Sequence, residues 1–144
     1  MSQYYDVDNQ TLWNPSNTAS KLFLYQVRLF EEELDLQSGI GPMKSDESRV
    51  APVVLEQFVN ALLAWRERTN HAVIQALTDG FVATMLVLAE RAGVEVRWNP
   101  SADAGADGMH EVQVCSSPMS AGHDRNGYVE IREQARQLAD SMPR

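Results

Sequence analysis

The chain of 144 residues carries twelve basic and twenty acidic residues, a net charge of −8, and 44% of its residues are hydrophobic. This composition excludes a disordered or collagen-like chain, and the negative charge argues against a nucleic-acid partner, because non-specific binding to phosphates needs a dense cationic surface. The length is typical of one domain. We expect a single domain over 1–144, with a helical core over about 12–93 and a strand pair and C-terminal helix over about 94–142.

The sequence also gives expectations about the compartment of the protein and about membrane association. Residues 1–6 contain neither a basic nor an apolar stretch, so they do not resemble a signal peptide. The longest apolar run, Phe81–Ala89, is much shorter than the roughly 20 residues that cross a bilayer, which predicts a buried helix and no membrane association. The single cysteine, Cys115, cannot form an intrachain disulfide. We therefore expect a cytoplasmic protein.

The N-terminal third predicts a strand followed by a helix. Tyr4–Asp8 combines aromatic and β-branched residues, as short strands do. Asn14 and Pro15 predict a helix start, because an Asn side chain caps free amides and proline suits the first helical position. The apolar residues that follow recur at helical spacing and form one inner stripe: Ala19, Leu22, Phe23, Val27, Phe30 and Leu34.

The middle of the chain predicts a long loop and two helical regions. Residues 37–51 lack periodicity and contain two glycines and a proline, so we expect a loop. Pro52 begins a second helix, and a third helical region, about 71–92, is either one helix or two that meet at Gly80. The inner face predicted for the second helix consists of Leu55, Phe58, Val59, Leu62, Leu63 and Trp65.

The C-terminal third predicts a hairpin and a last helix. Val94–Trp98 and His110–Cys115 alternate apolar and polar residues, as half-buried strands do. A helix from about Asn126 carries a narrow apolar seam, which predicts packing on the body of the protein or a homodimer through this helix. The seam consists of Tyr128, Ile131, Ala135, Leu138 and Met142. The fold class is therefore α+β and mostly helical, with three or four helices around a central apolar helix and a small antiparallel sheet.

Several short segments are distinctive as a set. They are Tyr4–Val7, Leu12–Ser16, Gly39–Met43, Gly80–Thr84 and Leu88–Gly93. Together they resemble a family of small actinobacterial proteins that contain a domain of unknown function. The resemblance covers about residues 1–98, and it implies an actinobacterial source without transferring any catalytic residue.

Three motifs that could carry chemistry are incomplete. Asp6–Asn17 begins like a calcium-binding loop but lacks its glycine and its last glutamate, so we expect a turn. Ser38–Pro42 has two of the glycines of a phosphate-binding loop without the remaining motif, and it predicts two positive-φ positions instead. Glu31–Glu33 has no Glu-x-x-His partner and predicts a solvated helix face. We expect no catalytic residue, metal site or cofactor.

One group of residues stands out as a candidate binding site: Trp13, Asn14, Asp46, Glu47, Trp65, Arg68 and His71. Trp65 and Arg68 are three residues apart on a helix and share a face, and an aromatic ring beside a guanidinium is common in recognition sites. The favoured structural interpretation is that Arg68 pairs with Asp46 or Glu47 and pins the loop, while Trp65 fills the core.

These observations favour a non-catalytic protein–protein interaction module of the immunity or accessory type. Its acidic surface would bind another protein of basic character. The alternative is a small enzyme or small-molecule-binding protein with a pocket between the 37–51 loop and the end of the second helix.

Overall fold

The computed structural model describes residues 3–69, 71–97 and 123–144. Within these residues the chain forms four helices and a small sheet, which confirms the predicted α+β class. The helices are α1 (Asn17–Leu34), α2 (Pro52–Arg68), α3 (Ala72–Arg91) and α4 (His123–Ser141). The strands are β1 (Tyr4–Val7), β2 (Gln10–Trp13) and β3 (Glu47–Arg49).

The sheet is mixed, with the strand order β2-β1-β3. β1 and β2 form an antiparallel hairpin, whereas β1 and β3 pair in parallel. The prediction of an antiparallel sheet is therefore wrong in this respect. The physical reason is the length of the connection: β2, α1 and the loop that follows lie between β1 and β3, and a parallel pair needs such a long connection, whereas a short turn joins antiparallel strands. β3 also lies inside the predicted 37–51 loop, because three residues are too short to show strand periodicity.

Residues 94–97 do not form the predicted strand. The carboxamide of Asn60 holds this segment instead: its Nδ2 donates to the Glu95 carbonyl at 3.0 Å, and the Arg97 amide donates to its Oδ1 at 2.7 Å. A side-chain amide therefore makes the hydrogen bonds that a neighbouring strand would otherwise make. Trp98 and the second predicted strand, His110–Cys115, lie outside the described residues.

Helix α1 begins two residues later than the Asn14-Pro15 pair indicates. Ser16 is the N-cap, and its hydroxyl oxygen accepts a hydrogen bond from the Ala19 amide. Three of the predicted inner residues are buried: Phe23, Val27 and Phe30. Leu22, which was assigned to the same stripe, is 62% exposed and faces away from the core.

Helices α2 and α3 form an antiparallel pair at the centre of the core. α2 begins at Pro52 as predicted, and its inner face is buried at Leu55, Phe58, Val59, Leu62 and Leu63. α3 passes through Gly80 without a break, so the third helical region is one helix. Every residue of Phe81–Ala89 except Thr84 is buried, which confirms the predicted central helix. By length and composition alone α3 could cross a membrane, but a buried core helix meets the same criteria.

A continuous row of aromatic rings joins the sheet to the helices. The rings follow one another in the order Trp13, Tyr5, Phe23, Phe81, Phe30 and Trp65, with centroids 4.8–5.8 Å apart. The Tyr5 hydroxyl lies 2.6 Å from the Ser20 hydroxyl. Burial raises the pKa of Tyr5, an effect that this hydrogen bond partly offsets. These rings fix the position of α1 against α2 and α3.

Helix α4 packs on α3 through the seam predicted from its sequence. Ile131 and Met142 are 1% and 6% exposed, and Ala135 and Leu138 lie half-buried against the core. The seam is thus covered by the chain itself, and a second copy could use it only by displacing α3.

Candidate functional site

Four of the seven predicted site residues lie at one end of the sheet, in two pairs on the two outer strands. Tyr5 pairs with Trp13, which precedes Asn14, and Tyr4 pairs with Glu47. The Tyr4 amide donates to the Asp46 carbonyl at 2.8 Å. Because β1 lies between the other two strands, the two pairs of predicted residues are about 10 Å apart. Trp13 is buried in the aromatic row, so its ring is not available to a ligand.

The other three predicted residues lie elsewhere. Trp65 is half-buried and meets Phe30 edge-on at 5.2 Å, as expected for a core residue. Arg68 and His71 are exposed at the junction of α2 and α3. His71 occupies the N-cap position of α3, but its side chain makes no capping hydrogen bond.

The predicted ion pair between Arg68 and the loop is not formed among the described residues, so that interpretation is wrong. The loop packs against the first turn of α2, where a Cβ on Gly39 would lie 2.8 Å from the Leu55 amide nitrogen. Arg68 comes thirteen residues after Leu55, which is about 20 Å along the helix. The two sides of the predicted pocket are therefore far apart.

Glu31 and Ser38 attach the loop to α1. The Glu31 carboxylate accepts hydrogen bonds from the Ser38 amide at 2.8 Å and from the Ser38 hydroxyl at 2.6 Å. The expectation of a solvated face is thus correct for Glu32 and Glu33, which are exposed, and wrong for Glu31. Because the acceptor is a charged carboxylate, these two hydrogen bonds are stronger than hydrogen bonds between neutral groups.

The two loop glycines allow the loop backbone to pack closely against α2 and β3. Gly39 has φ +77°, as predicted, and a Cβ there would lie 2.7 Å from the Ala51 carbonyl oxygen. Gly41 is not in the positive-φ region, so the second half of that prediction is wrong. A Cβ on Gly41 would instead lie 3.0 Å from the Arg49 carbonyl oxygen. The loop backbone faces β3 and α2 at these points, which leaves no room there for a phosphate.

Sequence reasoning assigned no role to a buried ion pair that links α2 and α3. The Arg66 Nε donates to the Asp79 carboxylate at 2.8 Å, and Arg66 is only 8% exposed. One signal pointed to it: Arg66 lies four residues after Leu62, on the buried face of α2. Arg68, which was chosen instead, lies on the exposed side.

Sequence reasoning also missed Arg91, which joins three elements. Its guanidinium donates to the carbonyls of Leu12 at 2.6 Å, Ala139 at 2.9 Å and Met142 at 2.9 Å. Burial lowers the pKa of Arg91, and the nearby Arg144 lowers it further. Because a cation is favourable at a helix C-terminus, Arg91 stabilises the end of α4 while it ties β2 to α3.

A surface groove of about 350 Å³ lies beside the 37–51 loop, but against α1 and not against the end of α2. Its lining combines apolar and basic side chains: Gln3, Asn17, Lys21, Leu24, Tyr25, Arg28 and Met43. The Lys21 ammonium lies 5.8 Å from the centroid of the Tyr25 ring. Neither Lys21 nor Arg28 forms an ion pair with a described residue.

Next to this groove, α1 exposes a second apolar stripe. Leu22, Tyr25 and Leu29 are 62%, 56% and 60% exposed. We call these three residues the outer face of α1. Their spacing of three and four residues places them on one side of the helix, next to the buried stripe that contains Phe23 and Phe30. The sequence contains this signal, but the two stripes are adjacent and Leu22 was counted with the wrong one.

The described residues contain no group of three or more His, Cys, Asp or Glu side chains that could hold a metal ion. The fold and these surfaces define a helical α+β protein with an exposed apolar helix face. The family model DUF6086, a family of unknown function, matches residues 1–144, and the chain belongs to this family. The match includes the C-terminal third, so the expected limit of the resemblance at about residue 98 is wrong. No curated protein and no solved structure shows significant similarity to the chain.

Proposed function

We propose that the chain is a non-catalytic protein–protein interaction module of the accessory type, and that the outer face of α1 is its contact surface. The observation that carries the proposal is the exposure of Leu22, Tyr25 and Leu29 on one side of a single helix. Burying an apolar side chain of this size stabilises a complex by roughly 1.5–3 kcal/mol. A contiguous apolar strip is also the usual mark of a contact site.

Charge differs between parts of this surface. Lys21 and Arg28 flank the outer face along one side, whereas Glu32, Glu33 and Asp35 are exposed beyond Leu29 at the C-terminal end of α1. The expectation of an acidic contact surface therefore applies to one end only. A partner that fits would present apolar residues between an acidic and a basic group.

The sequence supports a source and a compartment for the proposed module. The resemblance to actinobacterial proteins supports an actinobacterial source, and the lone Cys115 supports the cytoplasm. An immunity role, in which an acidic protein binds a basic toxic protein, is compatible with the net charge of −8.

The groove supports a second candidate function, the binding of a small acidic molecule. Lys21 and Arg28 would bind its anionic groups, and Leu24 and Met43 would contact its apolar part. The two candidates differ in one simple property. A small ligand leaves the native mass of the protein almost unchanged, whereas a protein partner adds the mass of a second chain.

The proposal predicts that the protein migrates in a complex in a lysate of its native host. In size-exclusion chromatography we expect the wild type to elute above the 16.1 kDa of the monomer. Leu29→Glu should shift it to the monomer position, because it replaces an apolar contact of the outer face with a charge that would be buried in the complex. Val53→Glu is the matched control: Val53 is 73% exposed on α2, so its variant should elute with the wild type. Elution of the wild type as a monomer contradicts the proposal.

A further inference from the structure

We infer that the partner contacts α1 with an acidic segment, whose apolar side chains cover the outer face and whose Asp or Glu side chains enter the groove beside Lys21 and Arg28. The inference rests on the proposed function and adds the chemistry of the partner. It makes the partner acidic at the place where it touches α1, whereas the net charge of −8 by itself favours a basic partner.

The part of α1 that carries the outer face has a local charge opposite to that of the whole chain. Residues 17–30 include Lys21 and Arg28 but neither Asp nor Glu, and the acidic residues of α1 follow only at 31–33. At physiological ionic strength, exposed charges more than about 8 Å apart are largely screened from each other. A segment that lies on the outer face therefore meets these two cations and not the net charge of the chain.

The groove and the outer face form one continuous surface. Tyr25 belongs to both, since it lines the groove and is 56% exposed. The Lys21 ammonium lies 5.8 Å from the centroid of the Tyr25 ring, so this cation is located where the groove meets the outer face. Arg28 follows Tyr25 by three residues and lines the same groove. A single segment can therefore place a carboxylate in the groove and apolar side chains on the outer face.

The cost of removing water from the two cations selects an acidic segment. Lys21 and Arg28 are exposed, and neither forms an ion pair with a described residue. A partner that covers the outer face removes water from both of them, which is unfavourable unless the partner supplies an opposite charge. Carboxylates offset this cost and accept charge-assisted hydrogen bonds from the two side chains. The groove also reaches Asn17, the first residue of α1, where the helix dipole favours negative charge.

Fluorescence anisotropy of the purified full chain with two labelled synthetic peptides tests this inference. Both peptides are amphipathic helices with the same leucine stripe; one carries glutamates beside the stripe and the other carries lysines at the same positions. We expect the glutamate peptide to bind the wild type at least about tenfold more tightly. The net charge of −8 predicts the opposite preference, so the comparison separates the local charge of the groove from the charge of the whole chain.

Charge reversal in the groove should reverse the preference between the peptides. A variant with Lys21→Glu and Arg28→Glu should bind the lysine peptide more tightly than the glutamate peptide. The matched control carries Arg68→Glu and Arg136→Glu, which change the net charge equally at two exposed positions outside the groove. The control should keep the wild-type preference. Because all four positions are exposed, circular dichroism should show an unchanged fold in both variants.

Four results would overturn the inference. The first is a lysine peptide that binds the wild type as tightly as the glutamate peptide, and the second is a failure of both peptides to bind at about 1 mM protein. The third is displacement of the glutamate peptide by equal concentrations of free glutamate or inorganic phosphate, which would make the groove a site for small anions. The fourth is a dimer of the purified chain in sedimentation velocity that Leu29→Glu abolishes, because a second copy would then cover the outer face.

The complex in the native lysate separates this inference from the proposed function. If Leu29→Glu abolishes that complex but Lys21→Glu with Arg28→Glu leaves it intact, the acidic segment is wrong and the contact surface on α1 stands. If both variants abolish it and the Arg68→Glu, Arg136→Glu control does not, both proposals are supported.

Discussion

Arg91→Met should lower the free energy of unfolding by about 2–4 kcal/mol. Methionine keeps the length and the apolar contacts of the side chain, so the variant isolates the loss of the guanidinium. Three carbonyls would lose their donor: those of Leu12, Ala139 and Met142. Water can reach part of this site because Arg91 is not fully buried, which is why the expected loss is smaller than three charge-assisted bonds would give.

Urea unfolding measures this effect. Arg136→Met is the matched control, because the Arg136 side chain is 82% exposed and forms only a surface pair with Glu133. We expect the control to lose less than about 0.5 kcal/mol. If Arg91→Met is as stable as the control, Arg91 does not tie β2, α3 and α4 together. Arg91→Lys should fall between the two, since it keeps the charge but cannot reach three carbonyls at once.

Gly39→Ala should destabilise the protein by about 2–4 kcal/mol. The alanine would have to adopt φ +77°, and its Cβ would lie 2.7 Å from the Ala51 carbonyl oxygen and 2.8 Å from the Leu55 amide nitrogen. Both neighbours are backbone atoms at the start of α2, so the strain cannot be relieved by a side-chain rotation. The loop and the first turn of α2 must move apart.

Gly80→Ala also replaces a glycine with alanine, but we expect it to raise the stability of the protein. Gly80 lies inside α3 with no atom within 4 Å of an added Cβ, so alanine should stabilise the helix by about 0.5–1 kcal/mol. Thermal or urea unfolding of the two variants gives the comparison directly. Equal stability of Gly39→Ala and the wild type would contradict the close packing of the loop against α2.

The helices were predictable because a regular spacing of apolar residues over many positions is visible in a single sequence. The inner face of α2 is an example of such spacing, and the Phe81–Ala89 segment was predictable as central because it is apolar on nearly all sides. β3 was not predictable, because its pairing with β1 depends on where α1 delivers the chain. The Asn60 contacts with residues 95 and 97 likewise join positions more than thirty residues apart.

The candidate site was predictable only in part, for similar reasons. Trp13, Asn14, Asp46 and Glu47 lie at the same end of the sheet because β2 and β3 both pair with β1, but composition could not reveal that the Trp13 ring is buried. Arg68 was chosen because it shares a helix face with Trp65, and only the geometry shows that Arg66 holds the ion pair with Asp79. The net charge of −8 also concealed the basic edge of α1.

The central claim is that the outer face of α1 contacts another protein. Its most direct test replaces Tyr25 with the photo-reactive amino acid benzoylphenylalanine in the full chain in its native host, followed by irradiation and mass spectrometry of the adduct. The account predicts a protein adduct at Tyr25 and no adduct with the same probe at Val53, which is the more exposed of the two positions. No protein adduct at Tyr25, or equal adducts at both positions, would contradict it.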